Sequence, residues 1–418
     1  MWHALLLGLS LFSLPLLQIT PAAWQFAGVE PLREHIGEVA GRPAQLTSAK
    51  LSPDGAAVAW QQDLMTCVYW FEDATDECFP WPEDAKLHAD RYNQPSWSPD
   101  GRYLAYGETF FTYGDDSDLW TVDLQTDEFI DHTDDGFVGN AHLSREGQAV
   151  PLDYAPTWNP ATGELFFFRS EKRDPLLVNS AYSLQLLKLT SGGQPELVRD
   201  LTLAVPGPLS VYRPPAFNAE GTQLAFLALP YGWQETPGAG VWVLDLARDT
   251  TEIRIPASAL VSALPAWAGP YMTPMQIQWA GDDLVIWMEA NSLDSPLYRT
   301  PLYFDAQTGA VTSLIDYSQF ADADAFEAAY VADPYAYYAN PQTGILLPGA
   351  DHYWMVSAAP IGEGMSVFEL PLPGVAGQPR LLTEIEQQLG PGQEALPTLS
   401  SDGKLVMLHT LFTVEPAG

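Results

Sequence analysis

Short apolar runs separated by tight polar turns dominate this chain. Leu104-Ala105-Tyr106 follows Trp97-Ser98-Pro99-Asp100-Gly101, and weaker copies of that pairing recur along the length. Val58-Ala59-Trp60 follows Ser52-Pro53-Asp54-Gly55, and Phe166-Phe167-Phe168 follows Trp158-Asn159-Pro160 and Gly163. Leu224-Ala225-Phe226 follows Phe217-Asn218 and Gly221, and Leu405-Val406-Met407 follows Ser401-Asp402-Gly403. Runs of this length, rich in β-branched and aromatic residues and bounded by turn residues, predict buried strands. Pro presets φ, Asp bonds its own backbone, and Gly takes positive φ without steric cost. Each Pro-Asp-Gly therefore predicts a tight turn between two strands, with Asp54 and Asp100 as turn formers.

The turns fall at Gly55, Gly101, Gly163, Gly221, Asp282, Gly344 and Gly403, mostly at intervals of roughly 60 residues, which marks a repeat architecture. Asp118–Leu124, Gly240–Leu246 and Leu302–Asp305 predict a third strand ending in Asp, and Glu196–Arg199 and Thr251–Ile255 a fourth. These residues resemble the Pro-Asp-Gly repeats of TolB-type propellers, which occur also in the N-terminal propellers of prolyl oligopeptidases. The resemblance covers roughly residues 40–415 and implies an all-β propeller of four-stranded antiparallel blades around a central channel. Seven anchors predict seven blades, with six the alternative if the Gly344 unit is irregular. Arg42–Thr47 reads as a stray strand that would complete the last blade and close the ring, removing open sheet edges.

Composition narrows the function. A hydrophobic content of 47% supports a full core, and 53 Asp and Glu against 18 Lys and Arg give a net charge of −35. Nucleic acid and anionic membrane surfaces are disfavoured as partners by that charge. Residues 4–19 are apolar and precede Thr20-Pro21-Ala22-Ala23, which predicts a signal peptide over 1–23 and one propeller domain over 24–418. The segment is shorter than the ~20 residues of a spanning helix. Its flank carries His3 but no Lys or Arg, so an uncleaved N-terminal tether is the alternative to a secreted or periplasmic protein. Cys67 and Cys78, the only cysteines, lie on two runs that can form a hairpin about Glu72-Asp73, which in an exported chain predicts a disulfide.

The resemblance places the Ser-Pro-Asp-Gly turns on one face and the longer connections on the other, where ligands bind. Candidate binding residues at or beside second-strand ends are Glu108, Arg169 and Glu289; Trp233, in a loop between Gly232 and Gln234, is a fourth. They read either as solvated strand ends or as a cluster at the channel mouth. Residues 315–330 predict one or two helical turns, with Phe326 and Tyr330 on one helix face, acting as a lid or as packing on the neighbouring blade.

Catalytic signatures are sparse. There is no Gly-x-Ser-x-Gly elbow and no His-x-x-x-His or His-Glu-x-x-His zinc pattern. Asp115–Asp118 and Asp131–Gly136 offer hard oxygen ligands suited to calcium, without EF-hand spacing. Together these features predict a monomeric, non-catalytic, extracytoplasmic propeller that engages a protein or cell-envelope component through its loop-rich face. The alternative is a carbohydrate-active enzyme with carboxylates at the channel mouth, Glu108 and Glu289 being the pair to test.

Overall fold

The computed structural model describes residues 29–31, 38–39, 42–43, 47–62, 64–82, 95–107, 117–136, 151–171, 183–205, 211, 213–230, 232–268, 272–290, 297, 299–332, 341–346, 352–358, 365–385, 393–399 and 405–411. Six four-stranded antiparallel sheets follow one another along the chain, each with its strands in sequence order. Blade 1 comprises Thr47–Leu51, Ala57–Gln62, Met65–Trp70 and Thr75–Pro80. Blade 2 comprises Ser96–Trp97, Tyr103–Gly107, Leu119–Asp123 and Glu128–Asp131. Blade 3 comprises Leu152–Trp158, Leu165–Ser170, Gln185–Leu189 and Pro195–Asp200. Blade 4 comprises Ala216–Phe217, Gln223–Ala228, Gly240–Asp245 and Thr250–Pro256. Blade 5 comprises Met272–Ala280, Asp283–Ala290, Arg299–Phe304 and Val311–Ser313. Blade 6 comprises Pro341–Leu346, His352–Ala358, Met365–Pro371 and Arg380–Ile385.

The blade count is thus six, not the seven expected. Around Gly403, the strands Gln393–Leu399 and Leu405–Leu411 belong to a three-stranded sheet. The third member is Val29–Pro31, which runs parallel to the last strand with Val29 opposite Leu405. Arg42–Pro43 does not join that sheet. It forms a two-residue hairpin with Glu38–Val39, and Pro43, lacking an N–H, cannot donate to a longer ladder.

The turn chemistry acts as expected. Ser98 Oγ donates to Asp100 Oδ1 at 2.6 Å, Gly101 N donates to Ser98 O, and Tyr103 N donates to Ser98 Oγ. Blade 1 repeats this with Ser52, Asp54, Gly55 and Ala57, and hydrogen bonds from Ser52 Oγ and the Ala56 N–H hold the Asp54 carboxyl below its ordinary range. In blades 3 and 4, Asn159 and Asn218 replace the Ser-Asp pair, each accepting two backbone N–H groups on its side-chain oxygen. Gly344 differs. It lies inside the first strand of blade 6 rather than in a turn, where a Cβ would sit 2.4 Å from the Tyr353 ring. That glycine serves close packing, not reversal.

Successive strand residues point to opposite faces, and both faces of an inner strand are covered. Leu104 and Tyr106 pack with Ala57, Ala59 and Val68 of blade 1, while Ala105 and Leu119 pack with Leu165 and Phe167 of blade 3. This double burial explains why the second strands read as unbroken apolar runs. The repeat's aromatic residue joins neighbouring blades through polar contacts as well. Trp97 Nε1 donates to Lys50 O, Trp158 Nε1 to Ser96 O, and Trp279 Nε1 to Ala216 O, at 2.8–3.0 Å. Blade 4 has Phe217 at that position, which packs edge-on against Phe166 of blade 3.

Among the described residues, two α-helices decorate the sheets. Helix α1 (Ala257–Ser262) follows blade 4, and α2 (Ala323–Ala332) lies in the predicted insertion. Phe326 of α2 packs against Trp267, Tyr317 and Phe320, which ties the insertion to the blade 4–blade 5 connection. Among the described residues no helix is long and apolar enough to cross a membrane.

Candidate functional site

The second-strand ends contain charged groups locked into pairs. In blade 3, Arg169 faces Asp153 across the first and second strands. Its guanidinium donates from Nε to Asp153 Oδ1 at 2.8 Å and from Nη2 to Oδ2 at 2.6 Å, a two-pronged contact. Asp153 is buried, and burial pushes its carboxyl above the ordinary range while Arg169 pulls it back. In blade 5, Glu289 faces Arg299 across the second and third strands, and Arg299 Nε donates to Glu289 Oε2 at 3.0 Å with both side chains buried.

Trp233 sits in a single 3-10 turn, Trp233–Glu235, entered through Gly232 at φ 72°. That turn folds the indole back into the core that contains Leu229, Val241 and Leu260, so the ring is buried. Glu108 lies outside the described residues, as do the segment 1–23, Asp115, Asp116 and His142. Cys67 and Cys78 face each other on the third and fourth strands of blade 1 and are joined in a disulfide.

The two acidic stretches converge. Trp120 pairs with Asp131, so the start of the third strand of blade 2 and the end of its fourth lie side by side. Asp118, Asp131 and Asp134 each present an oxygen within 4.8 Å of the others. Thr133 Oγ1 donates to Asp118 Oδ1, and the backbone N–H groups of Thr133 and Asp134 donate to Asp131 Oδ1. Hard carboxylate oxygens at this spacing could hold a calcium ion. Each acidic run is visible in the sequence; their meeting is set by strand register.

A cleft of about 870 Å³, which shares Asp131 with that cluster, lies between blades 2 and 3, lined by Tyr103, His132, Trp158, Glu164 and Lys188. His132 Nε2 is 2.7 Å from Thr121 Oγ1, and burial lowers the imidazole's proton affinity. The approach of Lys188 and Tyr103 to this cleft depends on blade packing, which no local sequence pattern conveys.

No family model matches the chain, and no curated relative matches it. Solved structures do. A chain of the mitotic checkpoint complex is 12% identical, with 86% of this chain and 82% of that one covered at a TM-score of 0.43. A prolyl endopeptidase is 11% identical with a TM-score of 0.45; 86% of this chain is covered but only 45% of the peptidase. An oligogalacturonate lyase from Vibrio parahaemolyticus is 10% identical, with 83% and 75% covered and a TM-score of 0.45. The TolB-type likeness remains one of sequence motif.

Proposed function

We propose that this chain is a non-catalytic binding propeller of an extracytoplasmic compartment, engaging a protein or cell-envelope component through the face where the second strands end. The observation that carries the reading is the engagement of the charged strand ends: Glu289 is held by Arg299, and Arg169 by Asp153. A carboxylate bound in this way acts as a strut, whereas a general acid or nucleophile must be accessible to substrate. The apolar N-terminal segment and the Cys67–Cys78 disulfide support export to an oxidising compartment. Pairing of Val29–Pro31 with the last strand supports a ring closed by the two chain ends. Affinity capture from envelope extract is expected to recover a partner whose retention falls with Glu171→Lys, just beyond the second strand of blade 3. Turnover of a glycan panel that Glu289→Gln abolishes, with no partner captured, would overturn the reading in favour of a carbohydrate-active enzyme.

A second reading rests on Asp118, Asp131 and Asp134: a calcium-stabilised module. Calcium is expected to raise the melting temperature relative to chelator in the parent and not in Asp118→Asn. Equal shifts in both, or none in either, would dismiss it.

A further inference from the structure

The cleft between blades 2 and 3 is not part of the strand-end site, and its chemistry is distinct. Tyr103 and Trp158 stack with ring centroids 6.2 Å apart and planes at 25°, which gives the cleft an aromatic floor. Around it stand the Lys188–Glu164 ion pair, with N···O 2.7 Å, the His132 imidazole and the Asp131 carboxylate. The turn Thr190–Gln194 forms the rim, and its Gly193 lies close against His132. A volume of about 870 Å³ falls within the range of small-molecule sites, about 300–1,000 Å³.

Three features select the ligand class. A flat aromatic surface attracts the C–H face of a ring that is apolar on one side. Carboxylate acceptors beside an ammonium donor match a ligand whose hydroxyls both donate and accept. Asp131, Glu164 and Glu196 outnumber Lys188, so an anionic ligand is repelled. We infer that this cleft binds a neutral oligosaccharide, seated on Trp158 beside His132 and hydrogen-bonded by Lys188 and Glu164. Trp158 reads the ring face. The charged side chains read the hydroxyl pattern, and their mutual pairing holds them in place before the ligand arrives.

The test is a calorimetric and tryptophan-fluorescence titration of the full chain with maltotriose, cellotriose, triacetylchitotriose and mannotriose. Trigalacturonic acid serves as the anionic arm and trilysine as the cationic one. Saturable binding of at least one neutral trisaccharide is expected, weakened about tenfold or more by Glu164→Ala and by Lys188→Ala, roughly 1.4 kcal/mol each. Arg254→Ala, on blade 4, should leave binding unchanged, and unaltered melting temperatures would separate lost contacts from lost folding. The inference is overturned if none of the four neutral sugars binds, if both cleft variants bind as the parent does, or if trilysine or trigalacturonic acid binds in preference.

Discussion

Trp158 donates its indole N–H to the carbonyl oxygen of Ser96, 2.9 Å away in the preceding blade. The same residue that announces a repeat in the sequence therefore holds that repeat to its neighbour. Trp97 and Trp279 do likewise, so the staple is a property of the repeat position. Trp158→Phe keeps much of the ring and removes the donor. It is expected to cost about 1 kcal/mol in denaturant unfolding. An unchanged midpoint would show that packing alone joins the blades.

Two turn glycines should respond differently to alanine. Gly101 has φ 72° and open space where a Cβ would go. Gly221 has φ 65°, and a Cβ there would meet Asn159 Oδ1 at 2.0 Å. Gly101→Ala is expected to cost about 1–2 kcal/mol from backbone strain alone. Gly221→Ala adds overpacking, about 1–3 kcal/mol more, and displaces the Asn159 amide from Gly221 O, to which it donates at 2.8 Å. Equal losses in equilibrium unfolding would refute the distinction.

These glycines also mark what local sequence conveys. A positive φ leaves a residue-level trace, so Gly55, Gly101, Gly163 and Gly221 were legible as turns and set the period correctly. Gly344 leaves the same letter for another reason, the nearness of Tyr353, and no local pattern separates the two. Trp233 was misread as an open ring because its flanking Gly232 signals a turn without saying which way the turn folds. Arg169 and Glu289 were found as strand ends, but Asp153 and Arg299 were not, since partners across strands follow from register.

Removing one member of the buried blade 5 pair should be severe. Arg299→Met strands the Glu289 carboxylate in a buried site, for an expected loss of about 3–5 kcal/mol. Arg299→Met with Glu289→Met should recover most of that loss, because an apolar pair of similar volume replaces the charges. A double variant as unstable as the single would argue that the carboxylate has a second indispensable partner.

Asp123 supplies an acid-sensitive contact. Hydrogen bonds from Arg102 hold its carboxyl below the ordinary value of 3.8, offset in part by burial and helped by the Gln125 N–H. A depressed folded-state pKa contributes stability that is full above the unfolded value and lost as pH falls through the folded one. Asp123→Asn is therefore expected to melt below the parent at pH 7, and the gap should close as pH drops below about 4. A gap constant down to pH 2 would rule out the charge as its origin.

The pairing of Val29 with Leu405 joins residues from opposite ends of the described chain. During translation the six blades can fold as they emerge, but this sheet must wait for Leu405–Leu411. Until that strand emerges, Val29–Pro31 presents an unsatisfied edge, a hazard in a crowded compartment. A circular permutant opened between two blades would join Val29 and Leu405 early and should mature with less aggregation.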